Sequence, residues 1–264
     1  HLSDYNDYLI KTKFKLNKQR KKKMEMVLEI KNFTQKYNDK VAVDKLSLSV
    51  EKGEIFGFIG HNGAGKSTTI KSIVGILPVG KGEILIDGNP ISSKRKICQK
   101  MCAYVPDNPD LYEYMTGIGY INFIADIFRV PEQERRERTL RFADEFEITE
   151  QLGNLISSYS HGMKQKVALI AAFVHNPKLL VLDEPFVGLD PKAAASLKKC
   201  MREHCEQGNA IFFSTHVLEV AQVLCDKVGM IDHGKLVEFG KVSELTRENS
   251  LEDIFLSRLE EKHA

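Results

Sequence analysis

Residues 60–68 read Gly-His-Asn-Gly-Ala-Gly-Lys-Ser-Thr, and their spacing is that of a loop that cradles phosphate groups just before a helix begins. The glycines can adopt backbone angles that are closed to other residues, so that successive N–H groups converge on one concavity where an anion fits. We expect Lys66 to reach the terminal phosphates and Ser67 to offer its hydroxyl to Mg²⁺, while the helix points its N-terminus at the same phosphates. The candidate nucleotide-binding residues of this loop are Gly60, His61, Asn62, Gly63, Ala64, Gly65, Lys66, Ser67 and Thr68.

The sequence on either side of the loop has the order that such a loop requires. Residues 54–59 form a short apolar run after a Lys-Gly turn and predict a buried strand, and residues 67–77 predict a helix that ends before Pro78. A glycine-rich turn that binds nothing would need the lysine, the hydroxyl and both flanks to coincide, so we prefer nucleotide binding.

Size and composition limit the class of protein. With 264 residues, of which 42% are hydrophobic, the chain can bury a full core in one domain with a subdomain. A net charge of +2 does not suggest a nucleic-acid binder. No apolar run approaches the roughly 20 residues of a membrane span, so any membrane role has to pass through a partner. Five cysteines without a Cys-x-x-Cys pair or a secretion signal predict reduced thiols of a cytosolic protein, mostly core residues.

The first 23 residues differ from the remainder because eight lysine and arginine residues crowd this segment. Its apolar residues are too few and too scattered for a secretory core. We interpret residues 1–23 as a basic leader that is disordered or foreign to the native protein. A second interpretation, contact of this basic arm with anionic lipid or nucleic acid, stays open.

Two segments before the loop alternate apolar with polar residues. Residues 27–30 and 41–50 show this period of two, which predicts half-buried antiparallel strands. Tyr37 lies between them, where an aromatic ring close to the nucleotide loop can stack on adenine. The alternative for Tyr37 is a packing role in the hairpin.

The middle of the chain predicts a strand that leads into a helical insertion. Residues 82–88 read as a strand and turn, and residues 103–107 as a strand that runs into Pro106 and delivers Asp107 toward the metal side of the site. Apolar residues at helical spacing then predict helices within residues 111–158, and the charged run 132–138 is interpreted as a solvated helix face.

Three further segments place polar groups where a nucleotide would lie. Ser160 suits a helix cap and Gly162 lets a ligand approach the backbone, so this helix N-terminus is a second anion site. The apolar strand 179–182 ends in Asp183 and Glu184, and two acids beside a triphosphate need a cation between them, which predicts Mg²⁺. We place Asp183 at the metal and Glu184 at the attacking water.

A third strand of the same sheet ends in a histidine. Residues 210–215 form another apolar run, and His216 follows it directly. We expect this side chain to contact the γ-phosphate, although a lone histidine more often has a structural role. Residues 228–240 finish the core as a hairpin-like pair, and residues 250–259 predict a short amphipathic helix.

With these motifs in hand, the chain from about Met26 onward resembles the ATPase subunit of an ATP-binding cassette (ABC) transporter. The matching motifs, in the family's order, are Walker A at 60–68, the signature at 160–165, Walker B at 179–184, the D-loop at 189–190 and the switch His216. The loop, the Tyr-Ser-His-Gly-Met-Lys-Gln signature and residues 250–256 are most similar to single-cassette exporters of bacteriocins, antibiotics and multiple drugs. Two places depart from the family: Tyr159, His161 and Met163 alter the signature, and Asp107 stands where a glutamine is usual.

The resemblance implies an α/β fold of the P-loop NTPase (RecA-like) type, with a mostly parallel sheet core, an antiparallel β subdomain and an inserted helical subdomain. The core would comprise residues 24–106 and 178–246, the helical signature subdomain residues 107–177, and the C-terminal amphipathic helix residues 247–264.

The resemblance also implies ATP and Mg²⁺ as cofactors and a peripheral place on the cytoplasmic face of the membrane. Transmembrane permease subunits and a second cassette, in a homodimer or a heterodimer, would be the partners. Each phosphate loop would hold ATP against the signature of the other cassette. The expected catalytic residues are Glu184, His216 and Lys66, and the expected metal ligands are Ser67, Asp183 and Asp107. The expected nucleotide-binding residues are Tyr37, residues 60–68, Ser160, Gly162 and Asp190.

Two alternatives remain open, both without transport. One is a cassette that acts in DNA repair, chromosome structure or translation, although the chain has neither a long coiled-coil insertion nor a second cassette. The other is a nucleotide-sensing regulator without useful turnover, suggested by Asp107 and the altered signature. A GTPase or nucleoside kinase is disfavoured because no guanine-reading Asn-Lys-x-Asp occurs.

Overall fold

Two β-sheets form the frame of the molecule in the computed structural model, which describes residues 25–38 and 40–260. The basic segment 1–23 lies outside the described residues. The antiparallel sheet has the order β2-β1-β4-β5 and consists of β1 (Met26–Tyr37), β2 (Lys40–Glu51), β4 (Lys81–Ile86) and β5 (Asn89–Pro90). The larger sheet has six strands in the order β10-β9-β3-β8-β7-β6 and consists of β3 (Ile55–Ile59), β6 (Cys102–Val105), β7 (Leu179–Asp183), β8 (Ala210–Thr215), β9 (Lys227–Asp232) and β10 (Lys235–Lys241).

All neighbours in the larger sheet run parallel except β9 and β10, which pair antiparallel. The carboxyl ends of five strands therefore meet at one edge, as in other open α/β sheets that bind ligands there. The antiparallel pairing of β1 with β2 confirms the prediction from the alternating pattern, and that of β9 with β10 confirms the predicted hairpin-like pair. The α/β fold with a parallel core and an antiparallel sheet is also confirmed.

Nine α-helices connect and cover the strands in the described part of the chain. They are α1 (Lys66–Ile73), α2 (Ile91–Met101), α3 (Gly117–Ile127), α4 (Glu132–Glu145), α5 (His161–His175), α6 (Pro191–Glu206), α7 (Leu218–Leu224), α8 (Val242–Leu245) and α9 (Leu251–Glu260). Helices α3 and α4 pack on α5 in the segment predicted to be helical. The domain boundaries drawn from the sequence stay predictions.

Several helices differ from the sequence prediction, and the short helices α7 and α8 were not predicted. Helix α1 ends at Ile73, before Pro78 is reached, because Gly75 adopts a left-handed backbone with φ of 72°, which is typical of a helix C-terminus. Helix α2 was not predicted at all. Ile91 and Cys98 are its buried residues, and so few apolar positions leave almost no helical period to detect.

Two apolar cores lie on opposite faces of the larger sheet. Strands β1, β2 and β4 cover one face, where Phe56 stacks on Phe212 with ring centroids 5.4 Å apart. Helices α5 and α6 cover the other face with buried residues such as Ile170 and Leu197. Because both faces are buried, β3, β7 and β8 consist of buried residues throughout, as expected for central parallel strands.

The five cysteines all lie buried and form no disulfide. Burial raises the pKa of the Cys205 thiol to about 12 and that of Cys225 well above its usual value. These thiols therefore stay protonated and act as small apolar core residues, as predicted. Within residues 25–38 and 40–260, every helix is too short or too polar to cross a bilayer.

Candidate functional site

A cavity of about 410 Å³ opens at the carboxyl edge of the parallel strands. We call it the nucleotide cavity, and its lining residues are Tyr37, Lys40, Val41, Ala42, His61, Asn62, Gly63, Gly65, Lys66, Ser67, Thr68, Asp107, Asp183, Glu184 and His233. Strand β3 leads into the phosphate loop, β6 leads to Asp107, β7 ends in Asp183 and β9 precedes His233. The fold thus brings together residues that lie up to about three quarters of the chain apart, from Tyr37 to His233.

The phosphate loop has the tight backbone that its glycines predict. Gly65 has φ of 113°, and a Cβ there would lie 2.7 Å from the Ala42 carbonyl oxygen. A Cβ on Gly60 would lie 2.5 Å from the Ile231 carbonyl oxygen. No side chain fits at these separations, so both positions require glycine for the loop to close onto its neighbours.

Lys66 lies at the centre of this loop with a 6% exposed side chain. Its Nζ donates to the Gly60 carbonyl oxygen at 2.5 Å and lies 3.3 Å from Glu184 Oε1. In this structure the buried ammonium group is satisfied by a carbonyl oxygen and a carboxylate of the cavity wall. An anionic ligand in the cavity can replace these two partners.

Asp183 is held by two hydroxyl groups from neighbouring elements. Ser214 on β8 donates to Asp183 Oδ1 at 2.5 Å, and Ser67 at the start of α1 donates to Oδ2 at 3.3 Å. Burial raises the pKa of the Asp183 carboxyl group, and the charges of Asp107 and Glu184 raise it further, while the two hydroxyls act in the opposite direction. A divalent cation would relieve this crowding of negative charge.

The oxygen donors in this corner suit a hard cation. Ser67, Asp107 and Asp183 offer hydroxyl and carboxylate oxygens on the wall of one cavity. Such ligands fit Mg²⁺, which binds one or two carboxylates and keeps other positions for water or phosphate. All three residues predicted as metal ligands are therefore brought together.

Glu184 follows Asp183 with an unusual backbone. Its φ of 47° lies in the left-handed region, which is uncommon for a residue with a Cβ. The Glu184 N–H donates to Ser214 Oγ at 3.1 Å, which holds this conformation. The side chain then turns into the cavity, where Oε2 lies 3.0 Å from His216 Nδ1.

The other carboxylate oxygen of Glu184, Oε1, lacks a hydrogen-bond donor among the described residues. Oε1 is buried and, among the residues that the structure describes, accepts no hydrogen bond, although Lys66 Nζ lies at 3.3 Å. A buried acceptor without a hydrogen bond costs about 1–3 kcal/mol. This oxygen is therefore the natural place for a water molecule to donate.

The remaining residues of the nucleotide prediction lie around the same cavity. Tyr37 is the last residue of β1, and its half-exposed ring lines the cavity. His61, Asn62, Gly63 and Thr68 also line it, whereas Ala64 is buried behind the loop and donates to the His61 carbonyl oxygen. His216 borders a second, smaller cavity of about 240 Å³ that also touches Gly60 and His61.

Besides Gly60 and Ala64 of the loop, the three predicted nucleotide residues Ser160, Gly162 and Asp190 do not line the nucleotide cavity. Ser160 caps α5 by accepting from the Met163 N–H at 3.3 Å, as predicted, and its side chain is exposed. A Cβ on Gly162 would lie 2.8 Å from the Gly188 carbonyl oxygen, so the signature packs closely on the D-loop. Asp190 caps α6 and pairs with Lys166 at 3.2 Å.

Sequence reasoning missed three residues of the site. Ser214 had a usable signal, since a polar residue near the end of the apolar strand β8 needs a partner. Lys40 and His233 carry none, because they reach the cavity through the strand register and the β9–β10 turn.

Comparison with known proteins places this geometry in one family. The ABC transporter family profile matches residues 43–187. The ABC-type transporter ATP-binding protein EcsA of Bacillus subtilis is 33% identical over 233 residues, which cover 88% of this chain and 94% of EcsA. The SkfA peptide export ATP-binding protein SkfE of the same organism is 35% identical over 212 residues, which cover 80% of this chain and 88% of SkfE.

Solved structures agree with this assignment. One described as the ATP binding subunit of an ABC transporter superposes with a TM-score of 0.85 at 32% identity, covering 88% of this chain and 99% of that chain. The structure of cbiO1 from Clostridium perfringens, part of the ABC transporter complex cbiONQ, superposes with a TM-score of 0.73 at 28% identity, covering 85% and 92% of the two chains.

Proposed function

This chain belongs to the ABC transporter family as an ATPase subunit, and on that premise we propose that it drives a membrane exporter through ATP-dependent pairing with a second cassette and Mg²⁺-dependent hydrolysis. Export is favoured because relatives such as SkfE are named for peptide export. The chain would work peripherally, at the cytoplasmic face of the membrane.

One observation carries this proposal. The edge of the parallel sheet gathers Lys66, Ser67 and Glu184 in one cavity, whereas Ser160 and Gly162 lie outside that cavity on the N-terminus of α5. Ser160 and Gly162 therefore do not line the nucleotide cavity of their own chain. A second cassette with the opposite orientation would supply ATP to them.

The pairing has a simple electrostatic basis. The phosphate loop and the N-terminus of α5 each lie at the positive end of a helix dipole, which favours an anion. A triphosphate held between two such ends attracts both cassettes, and loss of its terminal phosphoryl group weakens the attraction. Hydrolysis would then release the two cassettes.

Within one cassette, four side chains around the phosphate loop have proposed roles. Tyr37 stacks on the adenine ring, and Lys66 holds the terminal phosphates by its charge. Glu184 orients and deprotonates the attacking water through the oxygen that accepts no other hydrogen bond. His216, 3.0 Å from Glu184 Oε2, contacts the γ-phosphate and keeps the carboxylate in place.

Ser67, Asp183 and Asp107 would hold Mg²⁺. The bound ion neutralises charge on the phosphate oxygens during phosphoryl transfer. Asp107 replaces the usual neutral glutamine with an acid that can only accept hydrogen bonds when ionised. We therefore expect the position of the Asp107 loop to depend more on bound Mg²⁺ than the position of a loop with glutamine would.

The permease would bind in a groove between the larger sheet and the helical segment. This docking groove has a volume of about 560 Å³, and its apolar lining includes Ile76, Leu111, Tyr120, Ile124 and Phe128. Beside it, the exposed rings of Tyr112 and Tyr114 lie 5.8 Å apart, and the Tyr112 ring also contacts Phe123 at 5.7 Å between centroids. A groove of this character fits a short amphipathic helix of a partner.

The experiment that tests the proposal starts from the native protein in solubilised membranes. A photo-crosslinker at Tyr112 should capture a hydrophobic polypeptide with several membrane spans, and this partner should raise ATP turnover. An equivalent crosslinker at Leu140, an exposed apolar residue on α4, serves as the matched control. Capture of soluble proteins alone, with turnover independent of membranes, would favour a non-transport cassette; absent turnover would favour a nucleotide-sensing regulator.

A further inference from the structure

A cluster of two histidines and one aspartate lies beside the phosphate loop, apart from the proposed magnesium ligands. His61 belongs to the loop, Asp232 ends β9, and His233 begins the turn to β10. One ligand atom from each of the three residues lies within 4.8 Å of the other two. His61 is also a predicted nucleotide-binding residue of the phosphate loop, whereas Asp232 and His233 have no role in the predicted ATPase chemistry.

Both ring nitrogens of His61 lie next to an oxygen acceptor, although a neutral ring can donate to only one of them. Nδ1 lies 2.8 Å from the Asn62 carbonyl oxygen, and Nε2 lies 2.8 Å from Asp232 Oδ1. Both oxygens are acceptors, yet a neutral imidazole has a single N–H donor. When Nδ1 donates to the carbonyl, the Nε2 lone pair faces a carboxylate, and only a bound cation or a second proton makes that contact favourable.

A metal ion fits this arrangement well. Histidine ligands of metals usually donate their other ring N–H to a backbone carbonyl or carboxylate, which fixes the tautomer. The contact of His61 Nδ1 with the Asn62 carbonyl oxygen has this form. Asp232, with 3% of its surface exposed, supplies an anionic oxygen at the base of the cluster.

The spacing also suits a small tetrahedral ion. Zinc bonds of about 2.0–2.1 Å place neighbouring ligand atoms about 3.3 Å apart. His61 Nε2 and His233 Nε2 lie 2.8 Å and 3.7 Å from Asp232 Oδ1, on either side of that value. The His233 side chain is 75% exposed and can rotate to close the remaining difference.

The backbone holds these elements together before any ion binds. Gly234, next to His233, donates its N–H to the Ala64 carbonyl oxygen at 2.8 Å and so ties the turn to the phosphate loop. The Gly234 carbonyl oxygen accepts from the Asp44 N–H at 2.8 Å. A site on elements that are fixed to each other loses little entropy when it binds a ligand.

We propose that His61, Asp232 and His233 bind one divalent transition-metal ion, Zn²⁺ by its preference for imidazole and carboxylate ligands in a tetrahedral site. Mg²⁺ prefers oxygen ligands and does not compete here. The fourth position is open to water. The ion would tie the phosphate loop to the β9–β10 turn at the rim of the nucleotide cavity.

The test measures metal binding by the full chain, without nucleotide and in a large excess of Mg²⁺, which occupies the carboxylate site. Zn²⁺ is titrated against a chromophoric chelator, and Co²⁺ is used as a spectroscopic substitute for coordination geometry. We expect one Zn²⁺ per chain, intense Co²⁺ absorption bands of a tetrahedral site, and at least a tenfold loss of affinity in His61→Ala and in His233→Ala. His216→Ala and His161→Ala are matched controls that should leave the affinity unchanged.

Several results would overturn the proposal. These are the absence of stoichiometric Zn²⁺ binding, an affinity that neither His61→Ala nor His233→Ala changes, or a loss of affinity in His216→Ala equal to theirs. Circular dichroism of each variant verifies that it folds. Because no nucleotide is present, the outcome does not depend on whether the chain hydrolyses ATP.

Discussion

The hydroxyl of Ser214 donates a hydrogen bond to Asp183 Oδ1 at 2.5 Å, and the same hydroxyl oxygen accepts the N–H of Glu184 at 3.1 Å. A single side chain on β8 thus fixes both acids that end the neighbouring strand β7. The position of Asp183 at the proposed metal and the left-handed backbone of Glu184 depend on this serine. The parallel pairing of β7 and β8 aligns Asp183 with Ser214 directly.

Replacing this serine should destabilise the protein. Ser214→Ala leaves the buried Asp183 carboxylate and the Glu184 N–H without their partner, and we expect the free energy of unfolding in urea to fall by about 1–3 kcal/mol. Ser72→Ala is the matched control, because the Ser72 hydroxyl is buried and has no hydrogen-bond partner among the described residues. That control should leave stability unchanged or slightly raised. Equal effects of the two changes would contradict the role given to Ser214.

Glu184→Gln should separate binding from hydrolysis. The amide keeps the size of the side chain but cannot accept a proton, so steady-state phosphate release should fall by about 10²- to 10⁴-fold while ATP affinity is preserved. Glu113→Gln, which removes an exposed partner of Lys164, is the matched control and should retain turnover. Unchanged turnover in Glu184→Gln would remove this residue from the proposed role.

Lys66→Ala should weaken nucleotide binding itself. A hydrogen bond to a charged group contributes about 1.5–3 kcal/mol, so calorimetry should record an ATP affinity about 10- to 100-fold lower. Lys71→Ala changes an exposed lysine at the other end of α1 and controls for the lost charge. Undiminished affinity in Lys66→Ala would contradict the assignment of this loop to phosphate.

Stability should fall in mild acid because of a buried histidine. Burial lowers the pKa of His204 to about 4, from an ordinary value near 6.5. Between these values the unfolded chain binds a proton that the folded chain does not, so stability is lost as pH falls through this window, at up to about 1.4 kcal/mol per pH unit.

The control variant for this prediction is His204→Asn, which keeps a nitrogen near the Pro177 carbonyl but cannot be protonated. Urea unfolding between pH 7 and pH 4 should show a shallower loss of stability in the variant than in the parent chain. His175, whose pKa burial also lowers to about 4, leaves part of the slope in both. Identical slopes would refute the prediction.

Most of the catalytic edge could be predicted from sequence because its residues lie in local motifs. Lys66 lies just after the loop that follows β3, Asp183 ends β7 and His216 directly follows β8. Parallel strands place their carboxyl ends at one edge. What could not be predicted depends on register or on contacts between distant segments. Lys40 reaches the cavity only through the pairing of β1 with β2, and the His61–Asp232 contact joins residues 171 positions apart.

For helices, too, the features set by neighbouring residues could be predicted, whereas those set by tertiary packing could not. Ser160 was placed correctly at a helix N-terminus, since a cap is set by its side chain and the next three residues. Helix α2 was missed because it rests on the sheets with Ile91 and Cys98 as its buried residues. Tertiary packing determines whether such a helix forms, and a single sequence does not show that packing.

The central claim is that two cassettes enclose ATP between the phosphate loop of one and Ser160 of the other, and sedimentation of the Glu184→Gln chain tests it most directly. The mass is measured with and without Mg²⁺ and ATP, for the chain alone and with any second cassette subunit that copurifies with it. The account predicts a monomer of 29.9 kDa without nucleotide, a dimer with ATP, and a monomer again when Ser160→Glu is added to the same chain. A mass that stays monomeric in both mixtures while ATP is bound would contradict it.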